Sequence, residues 1–247
     1  MKKLFITASL ALFMLSSCSD DDAATTNTSS MLPIKVVTAY GDEIITENIT
    51  YNGNKIVKDA YSDGYYDLFM YTGDNITSIK SYSNDGTAVG EESFTYNSSN
   101  QLIKHVYTSY EDDSYGEKIL FTYNANGTIS TTQYSGNANA QNDLDGTGVM
   151  TVSNGNVMSY SFTNDGASTP QVNTYTFDDK NNPLKNVTGA SAISIAYAED
   201  GVNNIITRTG FGTTSTYAHT YNSANFPVKT VITTGNTTES TTDYTYN

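Results

Sequence analysis

The sequence predicts an all-β protein, and three observations support the prediction. Between turns the 247-residue chain is dominated by Thr, Tyr, Val and Ile, which are enriched in strands. Gly or Asn interrupts the chain about every 8 to 12 residues, as expected for short strands joined by turns. No segment of useful length shows the periodicity of an amphipathic helix.

The chain is largely built from imperfect copies of residues 93–102, which read Ser-Phe-Thr-Tyr-Asn-Ser-Ser-Asn-Gln-Leu. Alternation places Phe94 and Tyr96 on one face of a strand and Thr95 on the other. The residues from Asn97 to Asn100 are turn formers. Each copy therefore predicts a strand, a turn and a second strand.

The tyrosine of the motif, or the residue in its place, anchors an alignment of the copies. Successive anchors lie 20 to 29 residues apart, which is the length of one hairpin with its turns. Because the anchors recur at one strand position, we predict that they form structural cross-strand ladders and do not stack on sugar rings. The anchors are Tyr51, Tyr71, Tyr96, Tyr123, Val152, Phe177, Tyr197, Tyr221 and Tyr246.

Two kinds of turn follow the anchors. The pairs Asn52-Gly53 and Asn154-Gly155 predict tight type I′ turns. Longer loops carry Asn or Gly four positions after the anchor, where a left-handed residue or a bulge is expected. These four positions are Asn100, Gly127, Asn181 and Asn225.

Residues 33–247 are predicted to form a single β-repeat domain. It is a long antiparallel meander of about 16 to 18 strands, and a sheet of more than about ten strands twists until it curls or closes. We therefore expect a barrel or half-barrel. The loops at the other end of the hairpins, such as 110–116 and 137–148, vary most in length and are the expected place for a ligand.

The N-terminus has the parts of a secretory signal. Lys2 and Lys3 precede the apolar run 4–15, which is too short to span a membrane. The sequence Leu15-Ser16-Ser17-Cys18 resembles the lipobox of bacterial lipoproteins. The resemblance implies a signal peptide at 1–17, lipidation of Cys18 and permanent tethering; the alternative is an ordinary signal peptide with a chance cysteine.

The stretch 18–32 is predicted to be a disordered tether, because it contains little to bury. Asp20, Asp21 and Asp22 resemble the acidic export signal of flavobacterial surface lipoproteins. That resemblance implies an outer-membrane protein that faces the exterior, whereas the alternative is a solvated run of charge.

Charge and cysteine content exclude several classes of function. Loss of 1–17 lowers the formal net charge from −14 to about −16, and nucleic-acid binding requires a basic face instead. The single cysteine, Cys18, leaves no disulfide and no thiol nucleophile. No Gly-x-Ser-x-Gly motif occurs, so we predict no catalytic residues, no cofactor and no enzymatic activity.

Three further groups of residues are candidate sites. His105 and His219 are expected to pack within strands, because a metal site would need more ligands at suitable spacing. The stretch 141–146 has part of a calcium-loop pattern, but Gln141 occupies the first ligand position, so an acidic turn is expected. The stretch 111–113 is read as a solvated acidic loop and not as an acid–base pair.

The anchors resemble the tyrosine-aspartate repeats of Rhs-type proteins, with Asn in place of Asp, as in Tyr123-Asn124-Ala125-Asn126-Gly127. The arginine that commonly precedes the tyrosine is absent, and so is the autoproteolytic module. Together, the lipobox, the size and the hairpins resemble Bacteroidetes lipoproteins of a domain-of-unknown-function family described as porin-like in fold. This resemblance implies a shape and no activity.

The sequence thus predicts a lipid-anchored, non-enzymatic binding or scaffold module of the cell envelope, with a glycan or another envelope protein as possible partner. The first alternative is a glycan-capture protein of a carbohydrate-uptake system. A lipid or lipoprotein carrier and a hydrolase are further alternatives. Stretches such as 131–133 and 213–216 are polar on both faces, so we do not expect the strands to form a lipid-facing band.

Overall fold

A computed structural model of the protein describes residues 31–111 and 115–247. Within these residues the chain forms sixteen strands and one short helix. The elements are β1 (Pro33–Tyr40), β2 (Glu43–Asn52), β3 (Lys55–Tyr61), β4 (Tyr66–Thr72), β5 (Asn75–Tyr82), β6 (Ala88–Tyr96), β7 (Leu102–Ser109), β8 (Tyr115–Tyr123), β9 (Thr128–Asn137), β10 (Ala140–Ser153), β11 (Asn156–Asn164), β12 (Gln171–Phe177), α1 (Ala190–Ala196), β13 (Ile205–Gly210), β14 (Thr213–Tyr221), β15 (Pro227–Thr234) and β16 (Thr237–Tyr246).

The strands form a closed barrel. Each strand pairs antiparallel with its neighbours in sequence, and β1 pairs with β16 in a register that places Val36 opposite Tyr244. Backbone and side-chain bonds between Leu32 and Asn247 join the two ends of the domain. The predicted all-β meander is confirmed, and its strand number lies at the lower end of the expected range.

Alternate residues of each strand face the inside and the outside of the barrel. In β8, Glu117, Ile119 and Phe121 line internal cavities, so Lys118 and Leu120 between them face outward. Lysines of other strands lie on this outer wall too, where Lys80 and Lys229 pair with acidic residues of neighbouring strands.

One end of the barrel, which we call the anchor end, contains the anchor residues and most of the core. Inward-facing aliphatic and aromatic side chains from many strands are buried there, among them Ile49, Ile76, Phe94, Met150 and Phe226. Burial of each such side chain contributes about 1.5 to 3 kcal/mol. Because no cysteine other than Cys18 exists, this burial and the closed hydrogen-bond ladder hold the fold.

Four anchor tyrosines join the strand that carries them to the backbone of the preceding strand by a hydrogen bond. The hydroxyl groups of Tyr51, Tyr96 and Tyr246 donate to the carbonyl oxygens of Pro33, Ile76 and Pro227 over 2.7 to 2.8 Å. The hydroxyl of Tyr71 accepts from the backbone N–H of Ile56 at 3.1 Å. These bonds tie neighbouring strands together.

The prediction is wrong for Tyr197, which lies at the C-terminal end of α1 and not in a strand. The chain leaves the barrel wall after Phe177 and returns at Ile205. We call the connecting residues 178–204 the plug, because they lie within the barrel. The repeat pattern continues through the plug in sequence, but its short helix is folded inward.

The turn predictions are partly confirmed. Asn154 and Gly155 have φ of 51° and 81°, as a type I′ turn requires. Asn52 instead pairs with Lys55 and stays in the ladder, so Gly53 begins the turn and has the positive φ of a type II′ turn.

The left-handed conformation predicted after the longer anchors is present at Asn100, Gly127 and Asn225. It is wrong at Asn181, which has no positive φ. There the chain enters the plug, and the Asn181 side chain donates to the carbonyl oxygen of Ala224 at 2.9 Å.

The predicted long loop at 137–148 is also wrong, since β9 reaches Asn137 and β10 begins at Ala140. The register of this pair shifts between Gln141 and Asp143 and again between Leu144 and Gly146. These shifts let the hydrogen-bond ladder continue through residues whose apolar and polar side chains do not alternate. The acidic turn expected at 141–146 is therefore part of a strand.

The predicted signal peptide, Cys18 and all but the end of the tether lie outside the described residues. Among the described residues, the helix is not long and apolar enough to cross a membrane.

Candidate functional site

The plug packs against the inner wall of the barrel near the anchor end. Val187 belongs to one buried cluster with Ile49 and Ile56, and Ile193 packs against the main core. The backbone N–H of Thr188 donates to the carbonyl oxygen of Asn54 at 2.9 Å. The plug is thus fixed to the wall by apolar contacts and hydrogen bonds.

Gly189 shows why the chain bends sharply before α1. Its φ is 85°, in the left-handed region that side chains disfavour. A Cβ atom there would lie 2.9 Å from Cγ1 of Ile76 and 3.1 Å from the carbonyl oxygen of Asp74. Only glycine therefore lets the plug approach β5 this closely.

A cavity of about 640 Å³ lies between the plug and the inner wall formed by β3 to β8. This volume is within the range of pockets that bind small molecules. A smaller cavity of about 180 Å³ shares Glu117, Ile119 and Tyr197 with it. The barrel is therefore neither filled by side chains nor sealed by the plug.

Four carboxyl groups of the barrel line the larger cavity, and we call them the acidic wall: Asp59 on β3, Asp67 on β4, Glu92 on β6 and Glu117 on β8. Asp59 is directly opposite Asp67 in the strand register. Tyr107 is opposite both Glu92 and Glu117. The acidic wall thus extends from β3 to β8, with Ser81 of β5 and Tyr107 of β7 between its members.

Asp59 and Asp67 are an uncommon pair, because like charges directly opposite in a sheet repel each other. Asp59 is only 2% exposed, and its Oδ1 atom has no hydrogen-bond partner among the described residues. Burial and the Asp67 charge raise the pKa of Asp59 to about 7. The pKa of Asp67 is also raised by burial, although the hydroxyl of Tyr61 donates to its Oδ2 atom at 2.9 Å.

Glu47 lies behind this pair on β2, where it is opposite Tyr61. It is completely buried, and neither of its carboxyl oxygens has a hydrogen-bond partner in the described part of the chain. Burial, and then the charges of Asp59 and Asp67, raise its pKa to about 10. The Glu47 carboxyl group is therefore neutral in the folded protein at pH 7.

Glu92 links the acidic wall to the plug. The hydroxyl of Tyr197 donates to the Glu92 carboxylate at 2.6 Å, and Nε2 of His105 lies 2.7 Å from Oε2 of Glu92. The His105 ring stacks on Phe94 with 4.9 Å between the ring centroids. Tyr197, misread from the sequence as a strand anchor, thus holds the plug to the wall beside the cavity.

The plug contributes carboxyl groups to the opposite side of the cavity. Glu199 lies 3.6 Å from the guanidinium of Arg208, and Asp200 accepts a hydrogen bond from Nδ2 of Asn182 at 3.0 Å. Burial, followed by the nearby charge of Glu199, raises the pKa of Asp200 to about 7. Acidic groups therefore face the cavity from both the barrel and the plug.

The candidate sites considered from the sequence lie in different places. His105 is in the cavity wall. His219 faces the interior from β14, where its ring nitrogens lie 2.9 Å from Oγ1 of Thr230 and 2.8 Å from the carbonyl oxygen of Ile205, which fits the predicted packing role. Of the acidic stretch 111–113, only Glu111 is among the described residues.

Sequence reasoning missed the acidic wall, although the repeats carry a signal for two of its members and for Glu47 behind them. Glu47, Asp67 and Glu92 each lie four residues before an anchor tyrosine, which puts them on the inward face that the tyrosine occupies. Later repeats have Asn173, Tyr217 or Thr242 at this position. Acidic residues at this position of the repeat are thus restricted to β2, β4 and β6, which lie in one half of the barrel.

In the residues that the structure describes, no group of three or more His, Cys, Asp or Glu side chains is arranged to hold a metal ion. The arrangement combines carboxyl groups, tyrosine rings and a small-molecule volume. Fold and site together define a closed β-barrel with an internal plug and an acidic cavity.

No protein-family model matches the chain, and no curated protein matches it. Among solved structures, a porin-like protein from Bacteroides vulgatus is similar, with a TM-score of 0.59 and 12% identity over 88% of this chain and 99% of that chain. A porin-like protein from Bacteroides uniformis gives a TM-score of 0.37 and 14% identity over 86% of this chain and 82% of that chain.

The second similarity is too low to support an argument. The first shows a shared fold and confirms the porin-like shape that the family resemblance implied. At 12% identity it carries nothing about ligand or activity. The Rhs-like and lipoprotein resemblances remain predictions.

Proposed function

We propose that the protein is a non-enzymatic binding protein of the cell envelope that takes a small ligand into its barrel. The observation that supports this proposal is the cavity of about 640 Å³ between plug and wall. A scaffold that presents only its outer surface would gain nothing from such a cavity. Buried carboxyl groups without partners destabilise a fold, and ligand binding gives a reason for having them.

The proposed location is the outer membrane, with a lipid on Cys18 as the anchor. Lysines on the outer wall, such as Lys80 and Lys229 with their acidic partners, favour a barrel that stands on the membrane surface over one surrounded by lipid. The acidic residues that follow Cys18 support an orientation toward the exterior.

Replacement of Cys18 by Ala tests the anchor. We expect the Cys18→Ala variant to leave the membrane fraction, because the lipid would have no attachment site. A Ser17→Ala variant keeps a small residue before the cysteine and is the matched control, which should remain with membranes. Retention of Cys18→Ala in the membrane fraction would contradict the lipoprotein proposal.

Glycan capture is the second candidate function, and the tyrosine rings of the cavity wall, including Tyr61 and Tyr107, favour it. Aromatic rings pack on the apolar faces of sugars, and carboxylates accept hydrogen bonds from hydroxyl groups. A panel of neutral oligosaccharides, followed by thermal unfolding of the protein, tests this candidate. A stabilising sugar would support it, and an unchanged unfolding temperature across the panel would count against it.

The lipid-carrier alternative is less well supported. Apolar side chains such as Ile56, Phe69 and Ile79 line the cavity together with six carboxyl groups, and a purely hydrocarbon chain would leave these carboxyl groups without partners. The hydrolase alternative stays an untested prediction.

A further inference from the structure

We infer that the acidic wall binds an organic cation of the alkylammonium class, such as a primary diamine, with an ammonium group between Asp59 and Asp67. This inference rests on the proposed binding function and names its ligand class.

The lining of the cavity is strongly acidic. Six carboxyl groups line it, and one lysine does. That lysine, Lys185, donates to Oδ1 of Asn181 at 2.6 Å, so its ammonium group already has a partner. The carboxyl groups are Asp59, Asp67, Glu92, Glu117, Glu199 and Asp200.

The Oδ1 atom of Asp59 provides evidence that does not depend on the number of charges. Oδ1 of Asp59 belongs to a residue that lines the cavity and is 98% buried, yet this atom has no partner among the described residues. An unpaired buried acceptor costs about 1 to 3 kcal/mol. Oδ1 itself is closed to solvent, so a ligand reaches it when the Asp59 side chain turns toward the cavity. A donor on the ligand would then remove this cost, and a charged donor would do so best.

The geometry and the aromatic lining of the cavity favour an organic cation over a metal ion. Within 31–111 and 115–247 no three acidic or histidine side chains converge as metal ligands, and the volume of about 640 Å³ far exceeds that of one ion. The rings of Phe69, Tyr61 and Tyr107 also line the cavity. Aromatic rings attract ammonium groups but do not ligate metal ions.

The titration of Asp59 agrees with this chemistry. Its pKa is raised to about 7 by burial and by the Asp67 charge. The groups facing it are Glu47 from β2, Asp67 from β4, and the hydroxyls of Tyr51 and Tyr61. Since no cationic group is among them, a bound ammonium group would favour the ionised carboxylate. Affinity should therefore rise as the pH increases through 7.

Isothermal titration calorimetry of the full chain with 1,6-diaminohexane tests the inference, with 1,6-hexanediol as a neutral probe of the same length. We expect the diamine to bind at least about tenfold more tightly than the diol, because a hydrogen bond to a charged group is worth more than a neutral one. The diamine should also bind more tightly at pH 8 than at pH 6.

Two variants locate the site. Asp59→Asn should weaken diamine binding about tenfold or more, and Asp67→Asn serves as a second variant in the same pair. Asp42→Asn removes the same charge from the exposed β1–β2 turn and should leave the affinity unchanged. Circular dichroism checks that each variant folds, and the comparison of diamine with diol in the unaltered protein needs no variant.

Outcomes that overturn the inference differ from those that overturn the proposed function. Equal affinity for diol and diamine would overturn the cation inference while leaving a ligand-binding cavity. Displacement of the diamine by equimolar Ca²⁺ would assign the site to a metal ion. If neither 1,6-diaminohexane nor tetramethylammonium bound up to about 10 mM, the inference would fail, and the sugar panel would then decide the proposed function.

Discussion

Glu47 offers the sharpest test of the interior described above, because it is a carboxyl group that the fold should hold neutral. It is faced by acidic or phenolic groups from its neighbours, and no cationic side chain of the described residues is among the causes of its pKa shift. These groups are Tyr40 on β1, Tyr61 and Asp59 on β3, Asp67 on β4 and Tyr244 on β16.

The magnitude follows from the pKa difference between the two states. Burial and the neighbouring charges raise the pKa of Glu47 from 4.5 to about 10 in the folded protein. Between these values the unfolded chain releases the proton and the folded chain keeps it, so stability falls by about 1.4 kcal/mol per pH unit. At pH 7.5, three units above the unfolded pKa, the cost reaches about 4 kcal/mol.

Glu47→Gln should remove this cost, since the amide is neutral at every pH and nearly isosteric. We expect the variant to gain up to about 4 kcal/mol in the free energy of unfolding at pH 7.5 and nearly nothing at pH 4.5. Urea unfolding at pH 4.5, 6 and 7.5 measures this change. Glu239→Gln, on the exposed part of β16, is the control and should show no such pH dependence.

A gain of equal size at all three pH values would refute the reasoning, because the effect would then come from packing and not from ionisation. A loss of stability at pH 7.5 would refute it as well, since Glu47 would then be ionised and stabilised by a partner.

Two further predictions concern the anchors and the plug. Tyr96→Phe should lower the free energy of unfolding by about 1 kcal/mol, because the hydrogen bond to the carbonyl oxygen of Ile76 is lost. Tyr65→Phe, in an exposed turn, is the control and should change the free energy of unfolding little. An equal loss in both variants would show that the bond between Tyr96 and Ile76 is not the cause. Glu92→Gln should speed amide hydrogen exchange in α1 by about tenfold or more, because the bond from Tyr197 that ties the plug to the wall loses its charged acceptor. Glu91→Gln changes the adjacent, outward-facing residue and should leave that exchange unaltered, so equal acceleration in both variants would contradict the role given to Glu92.

The strand meander could be predicted from the sequence because local signals determine it. The alternation of side chains around Tyr96 and the turns at Asn100 and Asn154 each depend only on residues a few positions away in sequence. Closure followed from strand number and twist. These features depend on short-range chemistry, which a single sequence displays.

The plug could not be predicted, because its helix of seven residues, Ala190–Ala196, is too short to show helical periodicity. Tyr197 also matches the anchor spacing, which concealed the departure from the barrel wall. The inward fold depends on the contact between Gly189 and Ile76, two residues that are far apart in sequence.

Two members of the acidic wall, Asp67 and Glu92, could have been found by reading the position four residues before each anchor. The chemistry of the wall could not, because the raised pKa of Asp59 depends on Asp67 of the neighbouring strand and on burial by the closed barrel. The expectation that ligands bind at the variable loops stays a prediction, and the interior cavity is a second candidate place.

The central claim is that the barrel encloses a cavity that binds a cation at Asp59. A crystal structure of the protein grown with 1,6-diaminohexane tests it most directly. We predict an ammonium nitrogen within about 3.2 Å of a carboxyl oxygen of Asp59, with the alkyl chain against the rings of Tyr61 and Tyr107, which line the cavity. A diamine bound only on the outer wall, or an interior filled by side chains, would contradict it.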